Sequence, residues 1–184
     1  MPVVRRVNRG PSAAAENRAA LIAAAREVFA SDGYEAPLTS ITRVARVGQG
    51  SLYRHFPDRI SLALAVFEDG VRELEALAAR PGTTLDDMLA LMTEQTIAST
   101  AFIGMVSVSP ADARVLRVRD RVAGLLEGLL AEAQQAGRVR ADVTTDDLML
   151  AMGMIAGILA KEPAAARHET AELAWKLIRT GIDT

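Results

Sequence analysis

Residues 37–59, PLTSITRVARVGQGSLYRHFPDR, decide how this chain is read. Two short helical patterns flank a four-residue break at Arg46, Val47, Gly48 and Gln49. The first pattern opens at Thr39, a good N-cap residue type, and places Ile41, Val44 and Ala45 in one apolar stripe at helical spacing. In the second, Leu52 and Phe56 stand four apart and can anchor a helix to a core. Gly50, Ser51, Tyr53 and Arg54 then point away from that anchor. This division of labour is what a helix-turn-helix requires, with one face packed and a small, polar face free to enter a DNA groove. Periodicity alone leaves an ordinary αα-corner open as an alternative.

The literal residues narrow that choice. The segment resembles the DNA-binding domain of TetR-family transcriptional regulators, whose signature runs T-x-x-x-I-A-x-x-A-G-V-x-x-G-x-L-Y-x-H-F. Ile41, Ala45, Val47, Gly50, Leu52, Tyr53, His55 and Phe56 match it. Ala19 to Phe29, followed by Gly33 and Tyr34, resembles the supporting helix of the same family. Four positions depart from the pattern. Thr42 replaces the usual Ala, Arg46 the turn glycine, Gly48 the common N-cap Ser, and Arg59 the usual Lys. If the backbone at 46 is left-handed, arginine there costs on the order of 1 kcal/mol relative to glycine. A phosphate contact made by the side chain is the compensation expected.

The resemblance implies an all-α protein of about nine helices. It divides the chain into a flexible basic arm (1–11), a helix-turn-helix domain (12–57) and a regulatory and dimerisation domain (58–184). Double-stranded operator DNA is the implied partner. Gln49, Gly50, Ser51 and Tyr53 are expected at base edges and adjacent sugar-phosphate, because glutamine can pair bidentately with adenine and small residues permit close approach. Thr39, Arg43, Arg46, His55 and Arg59 are the phosphate candidates that set register. Arg5, Arg6 and Arg9 of the arm either follow the DNA backbone or belong to a merely soluble tail.

Charge is distributed accordingly. The net charge is −2, but residues 1–59 hold nine arginines against five acids, so the remainder is acidic. A basic first third on an acidic body suits a DNA-binding head. With no cysteine and only His55 and His168, thiol chemistry is excluded and a histidine metal site is poorly supported. No cofactor is expected. Neither H-E-x-x-H, a P-loop, G-x-S-x-G nor a dinucleotide fingerprint occurs, so an enzyme is not the expectation. The longest uncharged apolar run, 148–160, is too short to span a bilayer, and a cytoplasmic protein is expected.

Beyond the motif, Pro57 should sit in the first turn of a helix over about 58–79, with Ile60, Leu64, Phe67, Val71, Leu74 and Leu77 inward. A further helix from Thr84 to about Phe102 turns Leu85, Met88, Leu89, Met92 and Ile97 inward. A long helix covers about 112–135, with room for a division near Leu116, and Gly137 closes it. Thr144 or Thr145 caps the next helix, and a last one spans about 166–182.

The helix after Thr144 is apolar on nearly every face. Gly153 and Gly157 allow close helix approach, and Leu148, Met152, Ile155 and Leu159 join Leu173, Leu177 and Ile178 of the final helix in an expected homodimer interface. Phe67, Met88, Met92, Thr96, Phe102, Met105 and Met152 are the candidates to line a pocket for an apolar or weakly polar effector, although methionine is also ordinary core filler. The expected function is a dimeric regulator, a repressor released by a small molecule. A ligand-independent DNA-binding regulator and a helical protein-interaction module are the alternatives.

Overall fold

The computed structural model describes residues 11–98 and 111–183, and everything below concerns those residues. They form eight α-helices. The first four are α1 (Pro11–Asp32), α2 (Leu38–Ala45), α3 (Gln49–His55) and α4 (Arg59–Ala78). The other four are α5 (Leu85–Ala98), α6 (Ala113–Gln135), α7 (Thr145–Leu159) and α8 (Arg167–Ile182), with a single 3-10 turn at Ala164–Ala166 before α8. The all-α expectation holds. Arm residues Arg5, Arg6 and Arg9, the pocket candidates Phe102 and Met105, and the stretch between α5 and α6 lie outside the described residues.

The head is built on α1, which buries Leu21, Ala24, Ala25, Val28 and Phe29 at helical spacing. It stops at Gly33, whose φ of 80° lets its N–H reach the Phe29 carbonyl at 3.2 Å. Ile41 of α2, Val47 of the turn, and Leu52 and Phe56 of α3 close on that face. Leu62, Ala63 and Val66 of α4 complete the same core, as does Val115 of α6. The α4 positions expected inward at 60, 64 and 67 are only half-buried. Head contacts select the adjacent face, because α1 lies over Leu62 and Val66.

Helix α4 therefore belongs to two cores. Its first half packs in the head, while Val71 and Leu74 join Met88, Leu89, Leu126, Leu130, Leu148 and Met152 in the body. Between them, Gly70 sits against α5. A Cβ there would meet the Gln95 side-chain oxygen at 3.1 Å, and the Gln95 amide donates to the Gly70 carbonyl at 3.1 Å. A third small cluster joins Ile97, Ile155, Leu159 and Ala171 where α5, α7 and α8 meet.

Helix starts follow local chemistry, with some corrections. Asp58 caps α4 through the Ser61 N–H in a capping box, so Pro57 precedes the cap and is not in the first turn. Thr84 and Asp87 exchange the same reciprocal bonds at the start of α5, as do Thr144 and Asp147 at α7. Thr144, not Thr145, is thus the cap. Helix α6 runs undivided past Leu116 from its Asp112 cap. Thr39 is not the cap of α2, since Pro37 occupies that place and the helix begins at Leu38. Val44 is 42% exposed and Thr42 is buried in its stead. The buried hydroxyl is satisfied by donating to the Thr39 carbonyl at 2.9 Å, which lets threonine stand where the resemblance expects alanine.

Candidate nucleic-acid interface

Leu52 and Phe56 fix α3 from one side, both nearly inaccessible to solvent. That leaves Gln49, Gly50, Tyr53 and Arg54 exposed, with Ser51 and His55 half-buried. Tyr53 is 55% exposed, unusual for a large aromatic ring with a core available beside it. A Cβ added at Gly50 would meet nothing within 4 Å, so the interior does not require glycine there. What glycine provides is a bare outer surface on which another molecule can come close.

The turn into α3 carries arginine where the resemblance expects glycine, and its backbone there is left-handed. Arg46 has φ 54° and ψ 35°, the sole positive-φ non-glycine residue among those described. Its N–H reaches the Arg43 carbonyl at 3.3 Å, and the next N–H, from Val47, reaches that of Thr42 at 3.1 Å. The left-handed residue is therefore what satisfies the last carbonyls of α2. Gly48, extended at φ −67° and ψ 150°, is the N-cap of α3. Thr39, Arg43 and Arg46 are all exposed.

Arg59 is placed differently from its fellow phosphate candidates. One guanidinium nitrogen donates to the carbonyls of both Tyr34 and Ala36, and the group lies 5.5 Å from the Tyr34 ring centroid. It thus braces the loop that leads into α2. Beside it, burial alone would raise the Asp58 carboxyl, but the Ser61 N–H and the Arg114 guanidinium outweigh this and hold it below the usual carboxylate range. Arg114 of α6 reaches the Asp58 oxygens at 3.0 and 3.2 Å. A chain of polar contacts thus runs from the body through α4 to the start of α2. Nothing in the one-dimensional pattern of residues 112–116 signalled it.

On the body, the structure separates residues that the sequence had grouped. Leu148, Met152, Ile155 and Leu159, expected at a dimer interface, are buried inside one chain and have no surface left to give. Helices α5 and α6 cover Leu148 and Met152, and α5 and α8 cover Ile155 and Leu159. The opposite face carries Leu150, Met154 and Ile158, four apart and exposed, beside Gly153 and Gly157. Leu173 and Leu177 of α8 are exposed as well, Leu177 by 75%, while Ile178 is half-buried.

The effector candidates that are described fall in different parts of the molecule. Met88, Met92 and Met152 pack together in the body core, Phe67 lies against the head core, and the half-buried Thr96 donates its hydroxyl to the Met92 carbonyl at 2.8 Å. An open groove of about 470 Å³ lies instead between α5 and α8, lined by Leu89, Thr93, Ile97, Ala171 and Trp175 among others. The Trp175 indole N–H donates to the Thr93 hydroxyl at 2.8 Å. Among the described residues no group of three His, Cys, Asp or Glu side chains could hold a metal ion. No helix there is long and apolar enough to cross a membrane.

An all-α head that offers a short polar helix outward, on a separate helical body, defines a helix-turn-helix transcriptional regulator. Residues 21–66 match the model of bacterial regulatory proteins of the tetR family, and residues 80–184 match that of the SbtR-like transcriptional regulator C-terminal domain. The chain belongs to the TetR family of transcriptional regulators, which bind DNA and are not enzymes. Similar solved structures include a TetR transcriptional regulator from Streptomyces coelicolor, 29% identical with a TM-score of 0.60, the match covering 90% of this chain and 98% of that one. A TetR regulatory protein from Mycobacterium vanbaalenii is 28% identical with a TM-score of 0.55, over 94% and 98% of the two chains. An ArpA-like gamma-butyrolactone receptor shares the fold at 22% identity and a TM-score of 0.67, over 94% and 90%. No curated protein matches the sequence.

Proposed function

We propose that the protein is a homodimeric repressor that reads an operator inverted repeat and is released by a small apolar or weakly polar effector. The observation that carries the reading is the unpartnered apolar stripe Leu150, Met154, Ile158, Leu173 and Leu177 on two adjacent helices. Such a stripe is covered when α7 and α8 of two copies form a four-helix bundle, which is a self-complementary arrangement. Two heads held in this way present two α3 helices to successive half-sites. Gln49, Gly50, Ser51 and Tyr53 then face bases and adjacent backbone, with Thr39, Arg43, Arg46 and His55 on phosphates. Arg59 contributes chiefly by holding the loop before α2.

Release requires an effector that binds the non-DNA geometry more tightly than the DNA-binding one. A gamma-butyrolactone receptor among the similar folds supports small-molecule control. Close packing of Met88, Met92 and Met152 favours a second reading, a regulator that acts without ligand. Selection of bound duplexes from a randomised pool, at about 0.15 M salt where surface electrostatics are physiologically screened, tests the first part. A Gln49→Ala, Tyr53→Ala double variant is the control. Enrichment of an inverted repeat, lost in the control, is expected. A folded dimer that enriches nothing overturns the reading.

A further inference from the structure

We propose that Arg18 of α1 is a phosphate-contact residue, seated at the C-terminal end of α3 by the ring of Phe56. Its side chain is exposed, and its guanidinium carbon lies 5.3 Å from the Phe56 ring centroid. Phe56 is the C-cap of α3, buried and tied by its N–H to the Leu52 carbonyl at 2.8 Å, so the seat is rigid. Among the described residues no carboxylate pairs with Arg18, as none does with Arg43, Arg46 or Arg54 of the helix-turn-helix, whereas the arginines that join the helices of the body, such as Arg114, Arg121 and Arg179, are held by carboxylates. A guanidinium held at a ring by cation–π attraction spends no hydrogen bond on it, so its N–H groups can still serve an anion.

The place is one where DNA needs a cation. Seven residues make α3 only about 10 Å long, so a group abutting its C-terminal end stays close to the DNA that α3 meets. The C-terminal end of a helix is the negative end of its dipole and repels phosphate. Arg54 and His55 occupy the last turn of α3, and Arg18 adds a third basic group from a different helix. The local sequence does not reveal this, since the rest of α1 and all of α2 lie between Arg18 and Gln49, the first residue of α3.

The proposal rests on α3 being the groove helix, and the test separates the two. Binding to the selected duplex and to an unrelated duplex is measured from about 0.05 to 0.2 M salt for the wild type, Arg18→Ala, Arg18→Met and Arg18→Lys, alongside melting temperature. Each neutralised phosphate contributes about 0.9 to the slope of log K against log salt. The alanine and methionine variants are expected to lose about that much per protomer and to weaken both duplexes by the same factor, while lysine keeps the slope. Methionine keeps a chain over Phe56, so its loss of slope cannot come from an uncovered ring. An unchanged slope in the methionine variant overturns the proposal and leaves Arg18 as a lid on Phe56. A wild type with no salt-dependent affinity overturns the groove-helix reading as well.

Discussion

Arg46→Gly is expected to make the protein more stable and a poorer DNA binder. At φ 54° and ψ 35° the residue lies in the left-handed region, where a side chain costs about 1–2 kcal/mol. Glycine removes that cost but frees the unfolded chain, which returns about 0.4–1 kcal/mol. The guanidinium is exposed and enters no ion pair among the described residues, so no native contact offsets the gain. The net is a stabilisation of about 1 kcal/mol, which for a chain of this size raises the melting temperature by about 2–4 °C. Thermal unfolding followed by circular dichroism, at one fixed protomer concentration, reads this directly. In parallel, the salt slope of DNA binding should fall by about 0.9 per protomer if Arg46 holds a phosphate. An unchanged or lower melting temperature refutes the strain argument. Unchanged affinity and slope refute the idea that DNA is what keeps arginine in the turn.

Three further outcomes follow from the geometry. The Asp112 carboxyl is held down to about 2, first by the Arg114 guanidinium and then by the Arg114 N–H. Its native pKa lies below the unfolded value, so its contribution is complete above about pH 5 and is lost as pH falls toward 2. Arg114, in turn, also holds Asp58, whose carboxyl is lowered too. Asp112→Ala should therefore flatten the acid limb of a stability profile measured by urea unfolding, and an acid limb identical to the wild type would contradict this. Leu177→Asp, at a position 75% exposed in the single chain, should leave each protomer folded and give monomers in sedimentation velocity, whereas an intact dimer would remove α8 from the interface. Gly70→Ala alone presses its methyl on the Gln95 amide, but in a Gln95→Ala background the ordinary helix preference of alanine should return about 1 kcal/mol. Equal effects in the two backgrounds, read by denaturant unfolding, would show that Gln95 does not constrain α4.

Features that act over three or four residues were legible before any packing was known. Among them are the helix start at Thr84, the cap narrowed to Thr144 or Thr145, the glycine stops at 33 and 137, and the literal helix-turn-helix motif. Their chemistry is complete in one stretch of chain, and so is the outward face of α3, since Leu52 and Phe56 fix its orientation. The phase of the apolar helices was settled by packing. Helix α7 is apolar all round, so the positions of α5, α6 and α8 decide that Leu148, Met152, Ile155 and Leu159 are core while Leu150, Met154 and Ile158 remain outside. The same holds for α4, whose inward face is chosen by α1, and for Val44 and Thr42, which exchange places because α2 rotates to meet the head core. Roles that join distant residues were beyond any local pattern. Arg59 closing on the carbonyls before α2, Arg114 reaching Asp58 across the head–body junction and Arg18 lying on Phe56 all depend on helix packing. Long side chains find their partners only after the backbone has set which helices are neighbours.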